Sequence, residues 1–326
     1  MYFLGCDGGS TKTEFILSDE NGAILSHRVY AGCNYSHLGR EGFERHMTSC
    51  IGEVLADARI TKDDVTYAAL GLPTYGEVEE TEETIPDIIA KLLPFERVRL
   101  ANDAVMGWAG SLGAQPGINV VAGTGAIAYG MDYKGSEKRV GGWNLFFSDE
   151  GSCSWVGIRA MAAFFKQSDG RLPRTALYDV FKEHFSLTKK DIYFVGNIVE
   201  FMTKQPSQFA KMQLLAEKAY HMGDETMKKL YEDAVWELTE MVRAVKEGLA
   251  FAPGEAVRVS YSGGLFRAGE VVLAPLRARL SSLGMELVSP KYPPYIGSLA
   301  LAAAKHLPAD ALEALCARAY DETQGQ

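Results

Sequence analysis

The sequence predicts an α/β protein built as two similar halves. Three observations carry that expectation. The first thirty residues read strand, turn, strand, turn, strand, and the chain then alternates helix with strand. The same strand–glycine turn–strand order returns near residue 117. The length, 326 residues, suits two domains, at about 100–200 residues each.

In the first half, Tyr2–Cys6 is an apolar strand, residues 7–12 are turn material, and Thr13–Ser18 is a second strand. Asn21-Gly22 gives a hairpin signal before a third strand at Ala23–Tyr30. Phe43, Met47, Ile51, Val54 and Leu55 fall on one helical face. Val65–Leu72 and Arg97–Ala101 read as further strands, each preceded by a helical stretch, which implies a parallel extension of the sheet.

In the second half, Ile118–Ala122, Ala126–Met131 and Lys138–Val140 repeat the three-strand order. Ser154–Lys166, Thr175–His184 and Glu225–Phe251 have helical periodicity, with Pro253-Gly254 as a stop for the last. Val257–Tyr261 is a strand, Glu270–Ser282 a helix, Met285–Val288 a short strand and Gly297–His306 an Ala-rich helix. The expected division is residues 1–115 and residues 116–296, followed by a closing helical segment, about 297–326.

Composition narrows the function classes. Charged residues number 33 basic and 42 acidic, a net −9 with no basic stripe, which argues against nucleic acid as a partner. No apolar run approaches the roughly 18 residues of a membrane span, and Met1 leads straight into a strand pattern without a basic leader. Five scattered cysteines form no CxxC pair, so neither a disulfide framework nor a zinc site is expected, and a reduced cytoplasmic protein is the simplest reading.

Glycine, 33 residues or about a tenth of the chain against a usual 7%, is clustered in turns. Asp7-Gly8-Gly9-Ser10-Thr11-Lys12-Thr13 ends a strand in a carboxylate and follows it with small residues. Such a turn exposes backbone N–H groups and hydroxyls to phosphate oxygens, with Lys12 adding charge. An ordinary polar hairpin fits the same residues. Gly123-Thr124-Gly125-Ala126 repeats the device. It also matches a loose dinucleotide fingerprint, but that fingerprint needs a helix where a strand is expected here. No Walker-type P-loop occurs. Ser262-Gly263-Gly264, between a strand and a helix, suits either a flat ligand such as adenine or a plain turn.

Taken in order, these motifs resemble the phosphate-1, phosphate-2 and adenosine motifs of the actin/hexokinase/Hsp70 ATPases. Asp7–Thr13, Asn102-Asp103-Ala104, Ala122–Gly125 and Gly141-Gly142-Trp143 through Asp149-Glu150-Gly151 are similar to the N-acetylglucosamine kinase and BadF/BadG-type ATPase family. Pro293–Ala302 resembles its closing helix, and the resemblance implies that the closing segment, about 297–326, returns to the first domain. The resemblance spans essentially the whole chain. It implies two ribonuclease-H-like (actin-like ATPase) domains facing a nucleotide and sugar cleft, and an ATP- and Mg2+-dependent kinase of an amino sugar. N-acetylglucosamine is the first candidate, with the 6-phosphate as product; glucosamine and N-acetylmuramic acid are alternatives. It also favours a homodimer.

Carried over by motif, the resemblance makes Asp7 the Mg2+-side carboxylate. Gly8, Gly9, Ser10, Thr11, Lys12 and Thr13, with Gly123, Thr124 and Gly125, become phosphate contacts, and Gly263 and Gly264 flank the adenosine. Asp103 becomes the general base, and Asn34, Gly142, Trp143 and Asp149 line the sugar pocket. Without the resemblance, Asp103 reads as a helix N-cap, Trp143 as core, and Glu150 as a partner of Arg159 or a helix cap. Cys153 reads as a packed small residue and His37 as a surface or core one. Two positions depart from the family pattern near the sugar motif: Ser148 and Asn144 stand where glycine is usual. A BadF-type activase, the second reading, needs closely placed thiolates for an iron–sulfur cluster, which these isolated cysteines do not offer. A sugar-responsive repressor or a chaperone would each need an appended domain.

Overall fold

The computed structural model describes every residue except Gln205, Pro206, Pro253, Glu255 and Gln326, and every side chain among them except those of Asn197, Phe201 and Lys204. In chain order it runs β1 (Tyr2–Gly8), β2 (Lys12–Asp19), β3 (Ile24–Ala31), α1 (Tyr35–Ala58), β4 (Tyr67–Gly71), α2 (Glu79–Leu92), β5 (Val98–Ala101) and α3 (Asp103–Leu112). There follow β6 (Gly117–Ala122), β7 (Ala126–Met131), β8 (Glu137–Gly141), α4 (Cys153–Ser168), α5 (Ala176–His184), α6 (Glu200–Lys204), α7 (Ser207–His221) and α8 (Glu225–Glu247). The chain closes with β9 (Val257–Ser262), α9 (Glu270–Ser282), β10 (Met285–Leu287), α10 (Pro294–Ala303) and α11 (Ala309–Gln324).

Two compact units result: Met1–Gln115 with Ser289–Gln326, and Pro116–Val288. The first holds a five-stranded sheet in the order β3-β2-β1-β4-β5, the second a five-stranded sheet in the order β10-β9-β6-β7-β8. Read from the hairpin edge, both sheets are a three-strand antiparallel meander extended by two parallel strands. The repeated order of strands along the sequence is thus a repeated topology.

In the first unit, side chains alternate across the central strand, as the pleat requires. Leu4 and Cys6 join a core with Phe15, Leu17, Ala68 and Leu70 under α1 and α2. The next residue over, Gly5, lies beneath α10: a Cβ there would stand 2.4 Å from Ser298 Oγ. Residues 295–303 of α10 are all buried, which explains the helix's run of small side chains. In the second unit the core lies between the sheet and α4, α8 and α9, drawing on Ile118, Val120, Phe164, Leu238, Val242 and Leu276.

Element ends differ modestly from expectation. The helix expected over Glu225–Phe251 stops at Glu247, with Gly248, a poor helix former, as its C-cap, although Leu249 continues the apolar face and packs against the core. Pro253, the expected stop, lies outside the described residues. The closing helix begins at Pro294 rather than Gly297, since proline suits the first helical turn. Among the described residues, no helix is long and apolar enough to cross a membrane.

Candidate active site

In the first unit, three neighbouring parallel strands end together. Asp7 is in register with Gly71 of β4, and Gly71 with Ala101 of β5. Ligands in open α/β sheets bind beyond such carboxyl ends. Asp103 follows two residues after β5. The helix-cap role falls to Asn102, whose side chain accepts from the Ala104 N–H at 3.2 Å, so Asp103 sits in the first turn of α3 and is not its cap. Desolvation pushes the Asp7 carboxyl up to about 7, and Asp103 and Glu14 push in the same direction by repulsion. The two expected carboxylates therefore share one electrostatic neighbourhood.

The β1–β2 turn is tight. The Gly9 N–H donates to Lys12 O at 2.8 Å, and Ser10 and Thr11 are exposed at the tip. A Cβ on Gly8 would stand 2.6 Å from Cys33 Sγ and 2.7 Å from Gly71 O, so only glycine fits. Thr13 is fully buried, with its side chain beside the Cys33 thiol. Lys12 is exposed, and its ammonium donates to Glu14 Oε2 at 2.6 Å. Glu14 is buried and also bonded to His27 at 3.0 Å. Burial pushes Glu14 up, but the bonds from His27 and Lys12 outweigh it and hold the carboxyl below its ordinary value. The Lys12 charge expected for phosphate is thus already half-committed to Glu14, a pairing across alternate residues of one strand that sequence could suggest but not establish.

Asn34 occupies the N-cap position of α1 without capping it. Its amide instead donates to Ser10 Oγ at 2.9 Å, and its Oδ1 is buried without a partner. His37 is exposed.

In the second unit, Gly123-Thr124-Gly125 closes the β6–β7 hairpin, the Gly123 N–H donating to Gly125 O at 2.9 Å. A strand, not a helix, follows, which excludes the dinucleotide fingerprint. Gly263, at φ +106°, packs directly on this turn: a Cβ there would lie 2.5 Å from Ala122 C and O. Gly264 sits beside Cys153 Sγ and opens a short 3-10 turn. Asp149 is held in the left-handed region at φ +57° and is buried. Its carboxylate would stand 2.9 Å from a Cβ on Gly125 and accepts from the Ala126 N–H. Burial raises it, against the pull of that bond. An acid in strained backbone, pressed on a phosphate-type turn, is a feature of functional sites.

Trp143 is 82% exposed, so it is not core. It stands on a loop that Gly141 and Gly142 open with positive φ, and Arg139 donates to Gly142 O at 2.8 Å. Glu150 accepts from Ser148 Oγ at 3.0 Å, whereas Ser152 caps α4 and Arg159 lies over the Trp155 ring. Cys153 is buried, and burial raises its thiol to about 11.

The structure therefore brings Asp7, Gly8–Thr13, Asn34 and Asp103 to one end of the first sheet. In the second unit it brings Gly123–Gly125, Gly263, Gly264 and Asp149 together at the ends of β6 and β9. Sequence reading passed over Glu14 and Thr74. The first was legible from its spacing to Lys12; the second, at φ +70° with a buried unpartnered hydroxyl, is visible only in the fold.

Comparison with known proteins gives this geometry its context. An N-acetylmuramic acid/N-acetylglucosamine kinase of Clostridium acetobutylicum is 28% identical over 267 residues, 80% of this chain and 85% of that protein. An N-acetyl-D-glucosamine kinase of Dictyostelium discoideum is 28% identical over 270 residues, 80% of this chain and 84% of that protein. A crystal structure of a candidate N-acetylglucosamine kinase from Chromobacterium violaceum superposes with a TM-score of 0.65 at 26% identity, covering 92% of this chain and 98% of that one. The BadF/BadG/BcrA/BcrD ATPase family profile matches residues 4–302, and the chain belongs to that family.

Proposed function

We propose that the protein is an ATP-dependent amino-sugar kinase, with N-acetylglucosamine as substrate and its 6-phosphate as product. The observation that carries the reading is that Asp7 and Asp103 share one end of the first sheet, on strands flanking β4 and beside a glycine turn, with Asp103 acting on the Asp7 carboxyl by repulsion, in a chain of this family. Phosphoryl transfer passes through a loose transition state, so it needs alignment and charge stabilisation more than covalent help. Asp103 takes the role of general base: it orients the sugar hydroxyl and accepts its proton late, as the bond to phosphorus forms. The turns at Gly8–Thr13 and Gly123–Gly125 each present backbone N–H groups to phosphate oxygens, and Gly263 and Gly264 offer a flat surface to the adenine. The candidate sugar contacts are Asn34 in the first unit and Gly142, Trp143 and Asp149 in the second.

Mg2+ fits the residues present. Mg2+ bound to a nucleotide keeps several waters and takes one or two carboxylates, which Asp7 can supply. Asp7, raised by burial and by two neighbouring acids, is a carboxylate that a cation would relieve. When bound there, Mg2+ would neutralise charge on the phosphate oxygens.

The test is ADP release by the purified protein with MgATP and a panel of N-acetylglucosamine, glucosamine, N-acetylmuramic acid and neutral hexoses. Release with N-acetylglucosamine above the sugar-free background is expected. Asp103→Asn should lower turnover by at least about 10²-fold while leaving ATP binding intact. No release with any sugar would overturn the reading. We further place the enzyme in the cytoplasm as a homodimer; light scattering of the purified protein checks the assembly.

A further inference from the structure

We propose that Thr74 is a sugar-binding residue, its hydroxyl reserved for a hydroxyl or amide group of the acceptor; this rests on the kinase reading. Thr74 lies three residues past β4, the strand between the one that ends in Asp7 and the one that leads to Asp103. Two features set it apart. Its backbone stands at φ +70°, a region that a β-branched residue avoids, and its Oγ1 is buried with no hydrogen-bond partner. A fold optimised for stability alone would place glycine or asparagine here.

The strain is held on purpose. Thr74 O accepts from the Glu77 N–H at 3.0 Å and the Val78 N–H at 3.2 Å, while the single Thr81 hydroxyl proton has its shorter contact at Val78 O, 2.5 Å, and a longer one at Thr74 O, 3.1 Å. Two backbone donors on one carbonyl hold the residue in its unusual conformation. Asn102 then ties this loop to the start of α3. Its amide donates to Tyr75 O at 3.3 Å and Glu77 Oε1 at 3.2 Å, while its Oδ1 caps the helix that carries Asp103. The loop is thus coupled through Asn102 to the base that receives the sugar proton.

A second buried oxygen without a partner, Asn34 Oδ1, belongs to the same unit, on a side chain bonded to the tip of the β1–β2 turn. Pro73, next to Thr74, packs toward that turn's Gly8: a Cβ on Gly8 would meet Pro73 Cδ at 3.3 Å. A hydroxyl that both donates and accepts, and an amide oxygen that accepts, match a polyhydroxylated ligand with vicinal groups. Bound sugar would satisfy both, and an analogue lacking the matching group would leave them buried and unpaired, which is how a polar site discriminates.

The experiment compares Thr74→Ala with Thr74→Ser. Both remove the β-branch and should hold or raise the melting temperature, so misfolding does not confound the result. Only the first removes the hydroxyl. Thr74→Ala is expected to raise KM for N-acetylglucosamine about 3- to 10-fold with KM for ATP within about twofold, the size of one neutral hydrogen bond. Thr74→Ser should stay near wild type in both. An unchanged sugar KM in Thr74→Ala, or equal impairment of the two variants, would overturn the proposal. Sugar-induced thermal stabilisation gives a second readout that needs no turnover. Wild-type protein that neither turns over nor is stabilised by any sugar would instead sink the kinase reading, and this inference with it.

Discussion

Asp7 shows how a residue can be costly to the fold and useful to the chemistry. Its carboxyl titrates at about 7 in the folded chain, against about 4 unfolded, because burial and two neighbouring acids oppose its charge. The native state therefore binds more protons than the unfolded state between those values, and stability falls as pH rises from about 4 to about 7. Asp7→Asn removes that loss. The variant should gain several degrees of melting temperature over wild type at pH 8 and little at pH 4.5, by parallel thermal melts. A gain that does not depend on pH would show that the charge is not the cause. MgADP, by contrast, needs the ionised acid. Its affinity for wild type should weaken about tenfold per pH unit below 7, and Asp7→Asn should lose this dependence along with the Mg2+ requirement. Calorimetry across pH 5.5–8 reads both. Asp7 was legible in sequence because it closes an apolar strand before a glycine turn, whereas Asp103, the first residue of α3, was singled out by the family resemblance, its local pattern suggesting only a helix cap. Thr74 was not, since an unpartnered hydroxyl is a property of surroundings that only the fold assembles. The share of Lys12 taken by Glu14 lies between these cases: the spacing permits it, and the pleat realises it.

At the scale of elements, the period of the sequence located strands more faithfully than helix ends. Ala126–Met131 and Glu270–Ser282 match their expected ranges, since polar turns bound them on both sides. The reading passed over α7, although Phe209, Met212, Leu215, Ala216 and Ala219 are buried on one helical face and the pattern could have been found. What no local pattern shows is why Gly110 and Gly297 are glycine. The α3 and α10 helices cross there in backbone contact. A Cβ on Gly297 would stand 2.2 Å from Gly110 N, and one on Gly110 would stand 2.5 Å from Pro293 O. Neither neighbour is a flexible side-chain end that can swing away. Gly110→Ala should therefore destabilise by about 1–3 kcal/mol or more, the cost of overpacking, despite alanine's better helix propensity. Urea unfolding measures it, and a stabilised variant would show that the crossing relaxes without cost. Because α3 begins at Asp103, a shift of the helix should also raise the sugar KM.

At the scale of the whole molecule, duplication was legible as a repeated order of strands, while the return of the C-terminal segment to the first unit was expected through the family resemblance alone, because no local pattern encodes contacts so far apart in sequence. Both sheets share a topology, yet the first alone carries the Asp7 and Asp103 pair, so the repeat has diverged in chemistry while keeping its frame. The two units also differ in how the chain builds them. Pro116–Val288 is continuous, and its core, from Ile118 to Met285, is drawn wholly from within it. The first unit is split: α10 covers the face of the sheet that carries Gly5, and nine of its ten residues, Tyr295 to Ala303, are buried. Removing it would expose that apolar face, at about 25 cal/mol per Å² of surface returned to water. The fragment 116–288 should therefore melt cooperatively by circular dichroism, whereas 1–115 should not. Joining 1–115 to 289–326 with a short linker should restore a cooperative transition. The splice is feasible because the Lys291 N–H donates to Ser111 O at 3.0 Å, which puts the two segments side by side. A cooperative melt of 1–115 alone would show that the closing helix is an accessory to this unit and not part of its core.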